Sequence, residues 1–386
     1  MIYLLSIFLF LCPLFYWVGQ DLRQAQELFF QVFCMILMAA SIFLKPVREN
    51  KFNKVSLWLA ILFFWSIILY VLSRCQMGFN YVSNIFFGCI VYTLCIRYVK
   101  KEDIRFLMRA VLAVIMFNLV LVFGQLLGYD PINTIRNNPN GTDFIGLFGL
   151  KACMGMYMAF GMCLLTIFSW WAPVLLLVPI GVSVSTAAFL GGVCGYLFIL
   201  WFRKRRAFWV VLVLLVISSA FFIIKIDSPM GMMGTRPPMW GMALKDSMKS
   251  PITGYGMDSF RSGNLKYFKE SSTNKTVVGI VNGANIMIPE GKPNIKYDFW
   301  DNPHNEYVQL IFEFGVVGVL IVLFLLYYIY RRFKNSYRTE TVLALSGFLV
   351  CLLVMSIGQF PFHLARLGHI IPIMLGLFIV ETENGK

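Results

Sequence analysis

Three histidines occur in the 386 residues, and one of them lies where a polar stretch becomes apolar. His304 belongs to "DFWDNPHNEYVQLIFEFGVVGVL" (298–320), which begins with aromatic and acidic residues and continues as a candidate membrane helix. An imidazole has an ordinary pKa of about 6.5 and accepts a proton near neutral pH. His304 is therefore the candidate general base of a reaction at a membrane border. The alternative is that it only begins the helix, beside Pro303.

Three polar residues follow His304 on this helix, namely Glu306, Gln309 and Glu313. Their spacing places them on one face of an α-helix. Glu306 is the candidate for orienting either the imidazole of His304 or the substrate group from which that imidazole takes a proton. Glu313 lies about 13 Å along the helix from His304, inside the hydrocarbon region, where a carboxylate is costly and marks a functional or paired site. We expect Glu313 to pair with another helix.

The elements that must position these groups are membrane helices. Hydrophobic residues make up 59% of the chain and charged residues 13%, and the mean hydropathy is +0.74. Repeated apolar runs of about 17–25 residues are typical of membrane spans. The first run, residues 2–18, has no basic start and no small-residue cleavage site, so it is predicted to be a retained span rather than a signal peptide.

Twelve spans are predicted, which gives an all-α integral membrane protein. They lie near residues 2–18, 28–44, 55–72, 80–97, 106–127, 146–168, 172–184, 187–202, 207–224, 306–330, 340–358 and 367–380. The short seventh and eighth spans are separated by a break near "SVSTAA" (183–188). The expected organisation is spans 1–9 in residues 1–224, a large and partly helical periplasmic loop in residues 225–305, and spans 10–12 with a short cytoplasmic tail in residues 306–386.

The large loop is expected to fold over the membrane, because a structureless loop of this length is unusual unless it is functional. Apolar residues at near-helical spacing predict a helix in "RPPMWGMALKDSMKSP" (236–251), which ends at its last proline. "PITGYGMDSF" (251–260) is predicted to be a glycine turn. In the span that follows the loop, Gly315 and Gly318 are small residues that permit close helix contact.

The net charge of +14 comes largely from short loops on one side of the predicted membrane. Seventeen Lys and Arg lie in residues 45–54, 97–109, 203–206 and 331–338. The opposite short loops hold Arg23, Arg74, Arg136 and Arg366. This asymmetry is typical of cytoplasmic loops and argues against a nucleic-acid site. With an even number of spans, both termini are predicted to be cytoplasmic and the large loop to lie on the opposite side.

Other classes of site have no pattern in this sequence. Eight of the nine cysteines lie in apolar runs, and no disulfide framework or zinc-ligand spacing is visible. No phosphate-binding glycine loop or dinucleotide fingerprint occurs. Carboxylates at metal-ligand spacing are also absent from the sequence, so neither a metal nor a cofactor is predicted.

Three segments form a recognisable series. "PHNEYVQLIFEFGVVG" (303–318) has His-Asn, then Glu-x-Gly-x-x-Gly at the opening of a membrane helix. "TRPPMWGMALKDSMKSPITGYGMDSF" (235–260) has Arg, Trp, Ala-Leu and Pro-x-x-Gly-x-Gly ahead of that His. In "GLFGLKACMGMYMAFG" (146–161), Lys and a following Gly begin a span. Together they resemble the O-antigen ligase and O-antigen polymerase family of bacterial membrane glycosyltransferases.

The resemblance implies an inverting enzyme of the bacterial inner membrane that moves a glycan from an undecaprenyl diphosphate carrier to an acceptor hydroxyl on the periplasmic side. His304 and Glu306 would be catalytic, and Asn305 would contact the substrate. Arg236 would stabilise the growing charge on the diphosphate, because a guanidinium offers a planar fork of donors to phosphate oxygens. Lys151, near the outer end of the sixth span, would contact the same phosphates.

The chain departs from the family pattern at two places. The family often has Ser-Arg-Gly-Ala between its short helices, whereas this chain has Thr186 and Ala187 there and no Arg. Ala152 stands where Asn is common after the Lys. The outer-side cations that could replace the missing guanidinium are Arg136, Arg261 and Arg366.

Aromatic residues near His304 have two open roles, because they could stack on sugar rings or form an interfacial belt. They are Tyr297, Phe299, Trp300 and Tyr307. His363 and His369 flank the outer end of the last span, where structural roles are expected.

Three acceptors remain open for such an enzyme. A polymerase would extend another lipid-linked glycan, a ligase would use lipid A-core, and a third branch would modify protein. The departures from the common pattern favour a polymerase. The other hypotheses are a transporter or flippase of a lipid-linked sugar, against which the lack of an internal repeat argues, and a non-enzymatic scaffold. The expected partners are the lipid-linked donor, the acceptor, membrane lipids and a chain-length regulator.

Overall fold

The computed structural model describes residues 1–14, 22–48, 53–73, 78–129, 151–183, 185–214, 236–260, 275–281, 284–289, 303–363 and 365–383. Its helices are α1 (Ile2–Leu11), α2 (Leu22–Phe43), α3 (Lys54–Ser73), α4 (Gly78–Tyr98), α5 (Lys101–Leu126), α6 (Lys151–Leu165), α7 (Leu177–Val182), α8 (Thr186–Arg203), α9 (Arg236–Ser247), α10 (Glu306–Asn335), α11 (Glu340–Met355), α12 (Ala365–Gly368) and α13 (Ile370–Glu381). Residues 205–214 are also helical. Short 3₁₀ turns occupy Cys12–Leu14, Ala172–Leu176 and Pro361–His363.

One hairpin departs from the predicted all-helical architecture within the described residues. Strands β1 (Lys275–Val281) and β2 (Ala284–Pro289) pair antiparallel, with Val277 opposite Met287. The register shifts between Val277 and Gly279, which marks a bulge in β1. The hairpin lies in the large loop, for which the sequence predicted only helix and turn.

Among the residues that the structure describes, six helices are long and apolar enough to cross a membrane. They are Gln26–Phe43, Lys54–Leu72, Gly78–Tyr98, Lys101–Leu126, Thr186–Arg203 and Glu306–Asn335. Large apolar side chains on them remain exposed, such as Phe64 and Val71 of α3, as contact with lipid requires. The helical, multi-pass membrane class is therefore confirmed, whereas the count of twelve spans and the periplasmic position of the loop stay predictions.

The predicted break between the short seventh and eighth spans is confirmed. Helix α7 ends at Val182 and α8 begins at Thr186. Ser185 caps α8, because its hydroxyl oxygen accepts a hydrogen bond from the backbone N–H of Ala188 at 3.3 Å. A serine in this segment thus starts the helix.

The chain divides into two compact units. The first consists of Met1–Leu57, Asn84–Pro229 and Leu325–Lys386. Its core is built around α6, in which residues 153–164 are all buried. Helices α8 and α11 approach so closely that a methyl group on Gly195 would lie 2.5 Å from the carbonyl oxygen of Gly347. Small residues therefore set the distance between these two helices.

The second unit consists of Trp58–Ser83 and Met230–Phe324. It contains α9, the turn at residues 251–260 and the first half of α10. Trp58 stacks on Phe324 with ring centroids 4.6 Å apart. At the start of α4, a methyl group on Gly78 would lie 2.9 Å from the carbonyl oxygen of Met257, so the turn packs closely on this helix.

Candidate functional site

The start of α10 is capped by Asn305. Its side-chain oxygen accepts hydrogen bonds from the N–H groups of Tyr307 at 3.0 Å and Val308 at 3.1 Å. These are donors that a helix start leaves without intrahelical partners. Because the carboxamide oxygen is engaged in the cap, a substrate contact of the kind predicted for Asn305 would use its NH₂ group.

His304 directly precedes this cap and is half-buried. Its backbone has a φ of 51°, in the left-handed region. Among the described residues other than glycine, only Asp258 and His304 have a positive φ. Such a conformation costs about 1 kcal/mol or more and is concentrated at functional sites. The alternative role for His304 was to begin the helix, but Asn305 is the residue that caps the start of α10.

The peptide before His304 is held by a tryptophan of α9. The indole N–H of Trp240 donates a hydrogen bond to the carbonyl oxygen of Pro303 at 2.6 Å, across 63 residues of sequence. Pro303 is buried. The backbone of His304 is thus fixed on one side by Trp240 and on the other by the Asn305 cap.

A buried apolar cluster brings α9 and α10 together beside the histidine. It consists of Ala243, Phe260, Val308 and Phe312, with Trp240 and Tyr255 packed against it. The ring of Phe312 lies 4.8 Å from that of Tyr255 and 5.3 Å from that of Phe260. The predicted helix and glycine turn of residues 236–260 are both confirmed, and their packing on α10 positions the histidine.

Helix α10 is broken at Gly315, where φ is 62° and ψ is −166°. The turn at residues 251–256 supplies most of the hydrogen bonds that the break removes. The bonds run from Tyr255 N to Phe312 O (2.9 Å), from Gly256 N to Glu313 O (2.9 Å), from Val316 N to Pro251 O (2.8 Å) and from Val317 N to Ile252 O (3.3 Å). In addition, the indole N–H of Trp65 donates to the carbonyl of Phe314 at 3.3 Å. The turn is therefore joined to α10 on both sides of the break.

The two glycines at this junction have no room for a side chain. A methyl group on Gly315 would lie 2.4 Å from the carbonyl oxygen of Ile252, and one on Gly254, which has a φ of 66°, would lie 2.6 Å from that of Glu313. The sequence predicted that Gly315 permits close contact with another helix. The close neighbour of Gly315 in the structure is instead the backbone of the turn. Gly315 also has backbone angles that only glycine adopts readily.

The predicted polar face of α10 is confirmed. Glu306, Gln309 and Glu313 are all buried, with Gln309 and Glu313 each 1% exposed. One carboxylate oxygen of Glu313 accepts hydrogen bonds from the side-chain NH₂ of Gln309 at 3.1 Å and from the N–H of Phe260 at 3.4 Å. These two bonds join Glu313 to its own helix and to the turn, and its expected pairing with another helix stays a prediction.

The described residues do not test whether the predicted cations lie close together. Arg236 is the first residue of α9, but its side chain lies outside the described residues. Lys151 is the first residue of α6 and belongs to the first unit. Arg136, Arg261 and the side chain of Arg366 also lie outside the description. Their roles toward a diphosphate stay predictions.

The remaining predicted groups are placed only in part. Tyr307 is 38% exposed, whereas Tyr297, Phe299 and Trp300 lie outside the described residues. Within the described ranges, no group of three His, Cys, Asp or Glu side chains could hold a metal ion.

The comparison with known protein families gives a match. The model of the O-antigen ligase family matches residues 144–323. This range holds Lys151, α9, the glycine turn, His304 and the break in α10. No curated protein matches the chain. The match spans all three segments in which this chain resembles the O-antigen ligase and polymerase family, and it supports that resemblance.

Proposed function

We propose that this chain is an inverting glycosyltransferase that moves a glycan from an undecaprenyl diphosphate carrier to an acceptor hydroxyl, with His304 as the general base. The observation that carries the proposal is the left-handed backbone of His304, held between the Trp240 hydrogen bond and the Asn305 cap at the start of a membrane helix. A strained histidine at this border can meet both a lipid-linked donor and an acceptor in water.

The reaction needs one proton acceptor and a stabilised leaving group. The imidazole of His304 takes the proton of the acceptor hydroxyl while the hydroxyl oxygen bonds to the anomeric carbon of the donor. The bond from that carbon to the diphosphate oxygen breaks, and the diphosphate leaves with the electron pair. Attack from the opposite face inverts the anomeric configuration. Glu306, which is 8% exposed, orients the imidazole from the first turn of α10.

The charge that develops on the diphosphate requires cations. Arg236 is the first choice, because it begins the helix that also carries Trp240. Lys151 begins α6 and is the second, and Arg136 and Arg261 are the candidates to replace the arginine that the family often has between its short helices. These assignments rest on the family resemblance.

We infer that the site faces the periplasm and that both termini are cytoplasmic, because the basic loops at residues 45–54, 97–109, 203–206 and 331–338 share one side of the predicted topology. A polymerase is favoured over a ligase by the departures at Ala152, Thr186 and Ala187. A ligase to lipid A-core or a protein glycosyltransferase would use the same base and the same leaving group.

A transporter of lipid-linked glycans is the second candidate, and one observation favours it. Transporters often bind substrate at a broken membrane helix, and α10 is broken at Gly315. In this chain, however, the turn at residues 251–256 occupies the backbone groups on both sides of the break. The enzyme therefore remains the better-supported proposal.

Complementation of a deletion strain tests the proposal, with surface glycan length measured on a gel and protein level measured alongside. His304→Gln should lower transfer by about 10²–10⁴-fold, as expected for loss of a general base. His363→Gln is the matched control, because it changes another half-buried histidine. Full rescue by His304→Gln at normal protein level would remove His304 from the mechanism.

The deletion strain itself separates the acceptors. Core carrying a single repeat unit indicates a polymerase, whereas loss of capped core with accumulation of long lipid-linked glycan indicates a ligase. Loss of glycan transfer with the lipid-linked donor trapped on the inner face of the membrane indicates a transporter.

A further inference from the structure

A second group of charged and aromatic side chains lies in the first unit, where α8 ends and the helical residues 205–214 begin. The guanidinium of Arg205 lies 4.8 Å from the ring centre of Trp201. Trp201 in turn contacts Phe208 and Trp209, with ring centroids 5.1 and 6.4 Å away. Arg205 is exposed, so its charge is held at the surface by an aromatic cluster.

Arg338, which precedes α11, is held in the same way by the next residue of α8. Its guanidinium lies 4.4 Å from the ring centre of Phe202 and 5.9 Å from that of Phe333. The rings of Phe202 and Phe333 are 5.6 Å apart. Neighbouring residues of a helix point about 100° apart. The two exposed arginines are therefore anchored on adjacent sides of one helix end.

The surroundings of these arginines are strongly positive. Residues 203–206 and 331–338 together contain eight Lys and Arg, whereas Glu340 is the one acidic residue in residues 198–214 and 325–340. That carboxylate forms an ion pair with Arg203, whose guanidinium also donates to the carbonyl of Thr166. Arg203 and Glu340 thus join α8 to α11. A second carboxylate, that of Glu381, accepts a hydrogen bond at 3.0 Å from the hydroxyl of Thr339, the residue after Arg338. The eight Lys and Arg of the two segments still outnumber these two carboxylates.

An apolar surface adjoins the two arginines on the helical residues 205–214. Its exposed side chains are Trp209, Val210, Val213 and Leu214. Positions 210, 213 and 214 are three and four residues apart and share one helix face. A ligand that binds both the two arginines and this apolar surface has an anionic headgroup and hydrocarbon chains.

We propose that this surface binds an anionic phospholipid, with its phosphate between Arg205 and Arg338 and its acyl chains along Val210, Val213 and Leu214. A stacked guanidinium keeps its in-plane N–H groups available to phosphate oxygens. Clustered cations beside a membrane helix attract anionic lipid. Topology requires only positive charge on these loops and gives no reason for arginines held on aromatic rings. The proposal is independent of the glycan-transfer activity.

The test uses the full-length protein purified in detergent and titrated with phosphatidylglycerol, cardiolipin or phosphatidylethanolamine, with retained lipid counted by native mass spectrometry. Anionic lipid should bind the wild type at lower concentration than phosphatidylethanolamine. The double variant Arg205→Gln/Arg338→Gln should weaken that binding about tenfold or more. The control Lys204→Gln/Lys334→Gln removes two exposed cations of the same two basic segments and should weaken it less than about threefold.

Equal weakening by both double variants would mean bulk attraction and would overturn the proposal, as would equal binding of all three lipids. Arg205→Lys/Arg338→Lys keeps the charge but loses the planar fork, and it provides the test if the glutamine variant does not fold. Weaker binding of anionic lipid by this lysine variant supports the site. If this lysine variant binds anionic lipid as well as the wild type does, the proposed role of the two stacked guanidinium groups is wrong.

Discussion

Glycine has different roles in the two units of the molecule. In the first unit, Gly195 and Gly347 lie within regular helices and let α8 and α11 approach each other. In the second unit, Gly254 and Gly315 have positive φ and let a turn replace the hydrogen bonds of a broken helix. The first arrangement sets a distance between helices, whereas the second sets the direction of the backbone beside the candidate base.

This difference separates stability from function. A methyl group added between α8 and α11 disturbs packing that any well-folded membrane protein needs. A methyl group added at the break disturbs the half-helix that begins next to His304. Variants matched between the two units therefore show whether the second unit is the reaction site.

The largest effect is expected for Gly315→Ala. Its φ and ψ are nearly exclusive to glycine, and the new methyl group would lie 2.4 Å from the carbonyl oxygen of Ile252. Backbone strain and overpacking together should cost about 3 kcal/mol or more. Thermal unfolding in detergent and transfer per folded molecule should both fall.

Gly195→Ala is the matched variant of the first unit. Its methyl group would lie 2.5 Å from the carbonyl oxygen of Gly347, so unfolding should become easier by about 1–3 kcal/mol. Transfer per folded molecule should stay near the wild-type value. Equal loss of transfer in both variants would show that the two glycine roles are not separable.

An intermediate effect is expected for Trp240→Phe, which keeps an aromatic ring but removes the donor to Pro303. Loss of one hydrogen bond of about 1 kcal/mol should lower the turnover number roughly five- to tenfold with little change in KM, because the backbone of His304 loses one of its two anchors. Steady-state kinetics with a lipid-linked donor measures both constants.

Trp65→Phe is the control for this prediction, since it removes another indole donor of the same unit, the one to Phe314. It should alter stability more than turnover. An unchanged turnover number in Trp240→Phe would leave the Asn305 cap as the only required anchor of the histidine.

The smallest effect is expected at the helix caps. Asn305→Ala should destabilise the protein by about 1 kcal/mol, and Asn305→Ser, which keeps a capping oxygen, by less. Thr339 caps α11 in the first unit by accepting from Val342 N at 3.1 Å, so Thr339→Ala should cost a similar amount. Only the Asn305 variants should lower transfer, measured at equal amounts of folded protein.

Much of the fold follows from local pattern. The predicted third span, residues 55–72, agrees with α3 (Lys54–Ser73), because its apolar run is bounded by polar residues on both sides. The break before α8 and the helix and turn of residues 236–260 were also predictable, since serine, proline and glycine act on their immediate neighbours.

The break in α10 could not be predicted in the same way. "FGVVGVL" (314–320) is a continuous apolar run, and glycine is common in membrane helices. The break becomes favourable only because the turn at residues 251–256 supplies donors and acceptors about sixty residues earlier in the chain. The bond from Trp240 to Pro303 is equally distant in sequence, so spacing alone gives no sign of it.

The broken helix also bears on how the protein is made. Backbone carbonyls without partners are costly in a bilayer, and α10 leaves those of Phe312 and Glu313 to be satisfied by the turn. The turn precedes α10 in the chain and therefore leaves the ribosome first. We expect membrane insertion of α10 to be coupled to docking of its N-terminal half on this turn, which has already been synthesised, so that the order of translation protects the break.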